Sequence, residues 1–133
     1  MGLVITHGAF EGGYIKFNRF RTGIIKAIGG SYPPHENPRL DMNKWYWRSD
    51  GETDENFNRT KYIGLYEFLC HSDCDGDINT AKVRALKTEL ESILPLIEDY
   101  AKSNDDNELM EMTNTFLKGC ESAIKVNEPL EFY

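Results

Sequence analysis

The sequence has no apolar run of the roughly 20 residues that a membrane-spanning helix needs. Its first residues lack the basic and apolar segments of a secretion signal. We therefore expect a cytoplasmic protein without a membrane partner. Cysteine is also scarce, with three in 133 residues, and in that compartment we expect all three to be reduced thiols.

Positive charge is in short supply, and much of it lies near one end of the sequence. The formal net charge is −7, which argues against nucleic acid as a partner because such binding needs basic surface to displace counterions from phosphates. Residues 1–48 carry seven Lys and Arg against three Asp and Glu, whereas residues 49–133 carry eight against nineteen. The first third is basic and the remainder strongly acidic.

The sequence does contain enough apolar material for a packed core. Hydrophobic residues make up 40% of the chain, which includes seven Tyr, seven Phe and two Trp. That composition is typical of a globular protein rather than a disordered one. A chain of 133 residues suits one compact domain, which we place over residues 1–133.

Apolar residues recur at helical spacing in four segments. We expect helices over residues 13–28, about 61–70, about 83–100 and about 109–126. Two glycines follow the first of these helices and should end it. Pro95 falls within the third and should kink it or divide it in two, because proline cannot donate a backbone hydrogen bond to the preceding turn.

The signals for strands are weaker than those for helices. Leu3–Thr6 is short, apolar and β-branched, which favours a buried strand, and the glycine-rich HGAFEGG stretch should break it. Aromatic residues in Lys44–Ser49 favour a second strand that pairs with the first. The polar residues 50–60 are typical of a surface loop. We predict an α+β fold, a compact and mainly helical single domain with a small two- or three-stranded sheet.

The stretch CHSDCDGDIN, residues 70–79, concentrates ionisable residues between the second and third predicted helices. One interpretation is a calcium loop, because placing Gly76 at the glycine position of an EF-hand puts Asp73 and Asp75 on ligand positions. The two ends of such a loop fail, since His71 and Lys82 stand where acidic ligands should be. We therefore expect any calcium binding to be weak.

A second interpretation of this stretch is a zinc site. It would use Cys70, His71 and Cys74, with Cys120 as a further ligand from the last helix. Zinc sites usually bring together two closely spaced ligand pairs, and here only one region is rich in ligands. Cys120 lies on the apolar stripe of its helix, so we interpret it as a core thiol.

The third interpretation is a structural turn between two helices. Gly76 would take a positive φ there, and Asp77 or Asn79 would cap the helix that follows. Such a turn needs no ligand, and we predict neither a metal nor a cofactor for this chain.

Arg21 falls within the apolar arc of the first predicted helix. A guanidinium does not lose its proton, so burial demands a carboxylate, several carbonyl oxygens or an anionic ligand beside it. One alternative is a salt bridge within the protein, to Asp73, Asp75 or Asp77, and we predict that Arg21 neighbours the HSDCDG turn in the folded chain. The other is a clamp for a phosphate or carboxylate group, to which Arg19 would add positive field.

The candidate residues from the different parts of the sequence have side chains that could together bind a nucleotide. Arginines would hold the phosphate, aspartates would accept hydrogen bonds from ribose hydroxyls, histidines would add polar contacts and an aromatic ring would stack on the base. The candidate ligand-binding residues are His7, Arg19, Arg21, Trp47, His71, Asp73 and Asp75. No serine or cysteine nucleophile motif accompanies them, which favours binding over catalysis.

Two blocks, ITHGAFEGGYIKFNRFR and LYEFLCHSDCDGDI, resemble a family of small proteins found in tailed phages and prophages. The resemblance covers roughly a quarter of the chain, and HSDCDG is its more specific part. It carries no activity with it. What it implies is a phage-linked setting, in which small proteins of the host cytoplasm often bind a host molecule or signal.

Two functions of different classes follow from these observations. The first is a small-ligand-binding protein that sequesters a nucleotide-derived immune signal of the host, as an anti-defence sponge. The second is an acidic protein-interaction module that docks on a basic host protein through residues 49–133 and inhibits it. The sequence leaves open whether the chain forms a homo-oligomer.

Overall fold

The computed structural model describes residues 2–28, 62–69, 71 and 74–133, and the backbone alone at 48–49 and 52–53. The helices of these residues are α1 (Tyr14–Ala27), α2 (Ile63–Leu69), α3 (Thr80–Ser92), α4 (Leu94–Ser103) and α5 (Asn107–Lys125). The strands are β1 (Gly2–Ile5), β2 (Phe10–Gly13), β3 (Arg48–Ser49), β4 (Glu52–Thr53), β5 (Asp77–Ile78) and β6 (Leu130–Glu131). The fold is of the mainly helical α+β class, as predicted. No helix in the described ranges has the length and apolarity that crossing a membrane requires.

The strands form short antiparallel pairs, β1 with β2, β3 with β4 and β5 with β6. An isolated bridge between Ile5 and Phe132 connects the first of these pairs to the last. Hydrogen bonds between Val4 and Tyr133 run in both directions, at 2.7 and 2.9 Å. The last residues of the chain therefore lie between β1 and β5, and the strands follow one another in the order β2, β1, β6, β5.

The strand predicted at Leu3–Thr6 is confirmed as β1, and the HGAFEGG stretch breaks it with a turn at residues 6–9. The sequence analysis missed β2, Phe10–Gly13, at the end of that stretch, and a second strand prediction is wrong. The strand predicted at Lys44–Ser49 was expected to pair with β1. Its described part, Arg48–Ser49, pairs with Glu52–Thr53 instead. β1 pairs with β2 on one side and with residues 131–133 on the other, so it has no free edge with which Arg48–Ser49 could pair.

The predicted helices are confirmed, and the third of them is divided. It breaks at Ile93 into α3 and α4. Pro95 occupies the first turn of α4, where the missing N–H has no helical acceptor to lose. Asn79 caps α3, since its Oδ1 accepts a hydrogen bond of 2.9 Å from the Lys82 N–H. Asn79 was one of the two residues predicted to cap this helix, and the hydrogen bond confirms that prediction.

Four phenylalanines without exposed surface lie at the centre of the core, and they are Phe17, Phe20, Phe68 and Phe116. They belong to α1, α2 and α5. The ring centroids of Phe68 and Phe116 are 4.5 Å apart, and those of Phe17 and Phe68 are 5.7 Å apart. These ring contacts, of the tilted and edge-on kinds that aromatic pairs favour, fix α2 against both longer helices.

Candidate functional site

The helix α2 depends on other elements at both of its ends. It has seven residues, which is too short for an isolated helix in water. At its N-terminus the Glu89 carboxylate, from α3, accepts hydrogen bonds from the Gly64 N–H at 3.3 Å and the Leu65 N–H at 2.9 Å. A helix is stabilised by a negative charge near its N-terminus and by a positive charge near its C-terminus, because each interacts favourably with the helix dipole. Arg21 supplies the cation.

Arg21 is 2% exposed, as its place in the apolar arc predicted. Its Nη1 donates to the carbonyl oxygen of Phe68 at 3.3 Å and to that of His71 at 2.6 Å. The guanidinium carbon also lies 4.4 Å from the ring centroid of Phe17, within the range of a cation–π contact. The prediction that Arg21 neighbours the HSDCDG turn is confirmed, and carbonyl oxygens at the end of α2 are among its partners.

The side chain of His71 holds the turn closed. Its Nε2 lies 2.9 Å from the carbonyl oxygen of Asp77, so this nitrogen carries the hydrogen. The imidazole stacks on Phe132, with ring centres 4.0 Å apart and planes 27° apart. Gly76 has a φ of 91°, the left-handed conformation that the sequence predicted for it. The described part of this block therefore has the contacts of a structural turn.

The remaining candidate residues are distributed over different parts of the molecule. Arg19 is exposed on α1, and Asp75 is exposed in the turn. His7 lies in the turn between β1 and β2 and pairs with Glu128. Asp73 and Trp47 lie outside the described residues. Of the predicted set, the contacts given by the structure bring Arg21 and His71 together, through the main chain of His71 rather than through its ring.

His7 is held in an unusual backbone conformation. Its φ is 62°, in the left-handed region that residues other than glycine rarely adopt, and Gly8 follows with a φ of 69°. The Nε2 of His7 is 3.3 Å from the Oε1 of Glu128, just beyond the end of α5. Glu128 is 59% exposed whereas His7 is 18% exposed. The histidine is thus fixed in place beside a solvated carboxylate.

Three hollows share lining residues in series, with volumes of about 170, 420 and 290 Å³, and His7 lines the last two of them. The first two share Phe10, Glu11 and Thr115, and the last two share Thr6 and His7. We call this continuous depression the acidic groove. Its lining consists of Val4, Ile5, Thr6, His7, Gly8, Ala9, Phe10, Glu11, Lys16, Glu108, Glu111, Met112, Thr115, Glu128, Pro129, Glu131 and Tyr133.

The charge of the groove is strongly one-sided. As far as the structure describes it, five glutamates line the groove against one lysine, Lys16, and the histidine. Lys16 sits over the ring of Phe10, with its Nζ 5.7 Å from the ring centroid. The glutamates come from β2, α5 and the segment after α5, so they meet only in the folded chain. A groove of this kind favours a cationic ligand.

Strand geometry and one close tertiary contact place these side chains at the surface. Successive strand residues point to opposite faces, so Leu3 and Ile5 are buried while Val4 is part of the groove. The hairpin of β1 and β2 lies directly on α5, because Gly119 is in such close contact with Ala9 that a Cβ would overlap it. That contact brings the carboxylates of α5 beside those of the hairpin.

The two cysteines that the structure describes have different surroundings. Cys120 is fully buried, as predicted, and burial raises the pKa of its thiol from 9.0 to about 12. Cys74 is exposed. Among the residues described, no three His, Cys, Asp or Glu side chains are grouped so that they could hold a metal ion.

Sequence reasoning missed most of the acidic groove. It singled out His7 but none of the glutamates, and it predicted no strand after the last helix. A signal was present there: in Leu130–Tyr133 the apolar and polar residues alternate, with Leu130 and Phe132 buried and Glu131 exposed. This period of two is typical of a strand with one solvated face.

Comparisons with protein families, with curated proteins and with solved structures found no match to this chain. The resemblance to phage proteins therefore stays a prediction from the two sequence blocks.

Proposed function

We propose that the chain is a non-enzymatic binding protein whose acidic groove docks a basic segment of a partner protein. The observation that carries this proposal is the gathering of five glutamates, from three separate parts of the chain, around one set of adjoining hollows. In a phage-linked setting the partner would be a protein of the host, and docking would inhibit it.

The electrostatics of the groove support a basic partner. Exposed charges act on one another within a screening length of about 10 Å at 0.1 M salt. Several carboxylates within one depression therefore add their fields, which speeds the association of a cationic partner and selects against an anionic one. The net charge of −7 extends the same preference to the whole molecule.

The positions of the arginines favour this function over nucleotide binding. A phosphate clamp needs a guanidinium that a ligand can reach, whereas Arg21 is 2% exposed and donates to the carbonyl oxygens of Phe68 and His71. His7, another of the predicted contacts for a nucleotide, lies beside Glu128, whose negative charge would repel a phosphate. The nucleotide sponge stays a prediction, and the experiment below includes it.

The proposal is tested by fluorescence anisotropy with a labelled peptide of five Arg-Thr repeats. A peptide of five Glu-Thr repeats is the matched control, and ATP and a cyclic dinucleotide are added as competitors in separate titrations. We expect the basic peptide to bind, the acidic peptide not to bind and neither nucleotide to compete. Because exposed charges act through the solvent, the affinity should fall as salt rises from 50 to about 300 mM.

Charge reversal locates the binding surface. Glu111→Lys and Glu128→Lys should each weaken binding of the basic peptide about tenfold, since each replaces an attraction by a repulsion. Asp99→Lys is the matched control, because Asp99 is exposed on α4 and is not part of the groove. Equal losses in all three variants would mean that only net charge matters and would contradict the proposal. Binding of a nucleotide without binding of the peptide would favour the sponge.

A further inference from the structure

We infer that the acidic groove selects arginine over lysine, with Tyr133, Glu11 and Glu131 as the residues that hold the guanidinium. This inference rests on the proposed function and adds to it the side chain that the partner must present. It begins from the outer face of the strands, where Glu11, Glu131 and Tyr133 are all exposed.

The register of the strands fixes these side chains relative to one another. Val4 lies opposite Glu11 in the β1–β2 ladder, and it lies opposite Tyr133 on its other side, where both backbone hydrogen bonds form. Glu11, Val4 and Tyr133 are therefore one cross-strand row, which we call the outer row. Opposed residues in antiparallel strands have Cβ atoms about 5 Å apart. The outer row thus places a carboxylate and a phenol on either side of a small apolar residue.

Glu131 supplies a second carboxylate beside Tyr133. It is two residues earlier on the same strand, so the two side chains share the outer face. Its backbone is fixed against Thr6, whose Oγ1 accepts a hydrogen bond of 2.9 Å from the Glu131 N–H and whose N–H donates to the Glu131 carbonyl oxygen at 3.0 Å. A cation above Val4 would have carboxylates on two sides of it.

Tyr133 is what distinguishes arginine from lysine. It is 65% exposed, although its backbone is held by two hydrogen bonds to Val4. A guanidinium is planar, so it can stack on the phenol ring and still direct N–H groups outward to Glu11 and Glu131. An ammonium group is a compact point charge that cannot make the stacking contact and the in-plane hydrogen bonds together. Lys16 of the groove lies over Phe10 instead.

A second copy of this chain is the wrong occupant by charge. Each copy would bring a net charge of −7 to a surface that is already acidic. A basic segment of another protein has the complementary charge, and a segment that carries arginine also has the complementary shape. The partner is therefore expected to insert an arginine side chain above Val4.

The test compares two labelled peptides of equal length and charge, five Arg-Thr repeats and five Lys-Thr repeats, by fluorescence anisotropy on the full chain. We expect the arginine peptide to bind roughly three- to tenfold more tightly, which is the effect of one stacked guanidinium. In Tyr133→Leu this preference should disappear through loss of arginine affinity, with lysine affinity unchanged. Tyr133→Phe, which keeps an aromatic ring, should retain the preference.

Each result separates this inference from the proposed function. If both peptides bind the native chain equally, or if Tyr133→Leu keeps the preference, the inference is wrong while the proposed function stands. If neither peptide binds, both are wrong. Sedimentation equilibrium measures whether a second copy of the chain occupies the groove instead. A dimer of the native chain that Tyr133→Leu dissociates would overturn the inference. Thermal melts of both variants check that the substitutions at this exposed position leave the fold intact.

Discussion

Arg21 illustrates how one charged side chain can be buried in a small core. In the described part of the chain, its guanidinium contacts the carbonyl oxygens of Phe68 and His71 and the face of the Phe17 ring, which replace part of the water that it loses on burial. These partners belong to two elements that are remote in sequence. The residue therefore ties α1 to the C-terminal end of α2 and to the turn at His71.

Replacing Arg21 with methionine should destabilise the fold by about 2–4 kcal/mol, because the substitution removes charge-assisted hydrogen bonds and leaves buried carbonyl oxygens without their donor. Urea denaturation measures this loss. Arg19→Met is the matched control at an exposed site of the same helix, and it should change the free energy of unfolding by less than about 0.5 kcal/mol. Unchanged stability in Arg21→Met together with lost nucleotide binding would identify Arg21 as a ligand clamp instead.

Cys120 makes the free energy of unfolding depend on pH in the alkaline range. The pKa of its thiol is about 12 in the folded chain against 9.0 for an exposed cysteine. Above pH 9 the unfolded state therefore binds fewer protons than the folded state, and the free energy of unfolding falls as pH rises toward 12. Between pH 8 and pH 10.5 this should remove about 2 kcal/mol from the native chain.

The contribution of Cys120 is isolated by comparing urea denaturation of the native chain and of Cys120→Ala at those two pH values. The variant should be less stable at pH 8, because it leaves a small cavity in the core. It should then lose about 2 kcal/mol less than the native chain on going to pH 10.5. Parallel losses in the two proteins would show that Cys120 ionises normally when folded.

At the scale of the elements, α2 shows how a short helix is held by its neighbours. Glu89 and Arg21 complement its two ends, and its first turn lies directly on α3 at Gly64. A Cβ at Gly64 would overlap backbone atoms of Lys82 and Leu86, which cannot rotate away as a side chain could. Close helix contact of this kind requires a residue without a side chain.

Gly64→Ala should therefore cost about 3 kcal/mol, since α2 must move away from α3 and the contacts made by Phe68 must adjust. Gly13→Ala is the matched control, because Gly13 has a φ of −71° and a Cβ there would meet no atom within 4 Å. That variant should cost less than about 1 kcal/mol. Chemical denaturation compares the two, and similar losses would mean that the α2–α3 contact is more adaptable than its geometry indicates.

At the scale of the whole molecule, the acidic groove does not follow the division of charge along the sequence. The basic first third contributes Glu11 to the groove, and the acidic remainder contributes the other four glutamates. The hairpin of β1 and β2 packs between α5 and the last strand, and this packing brings Glu11 to them. The function that we propose is therefore a property of the folded surface rather than of residues 49–133 alone.

The sequence by itself determined the helices, the break at Pro95 and the burial of Arg21 and Cys120. It also predicted the positive φ of Gly76. Each of these depends on residues within a few positions of one another, because helical periodicity, proline geometry and turn chemistry are local. That is why the pattern of apolar residues was sufficient to place them.

Only the tertiary structure decided which strands pair, what surrounds Arg21 and where the glutamates meet. Strand pairing joins residues by hydrogen bonds that carry no local signature, and the bond from Glu131 to Thr6 spans 125 positions of sequence. Two of the groups that Arg21 contacts in the described part of the chain are main-chain carbonyl oxygens, which every residue possesses and no sequence pattern marks. The acidic groove depends on strand pairing and helix packing, since it exists only where β2, α5 and the last strand are packed together.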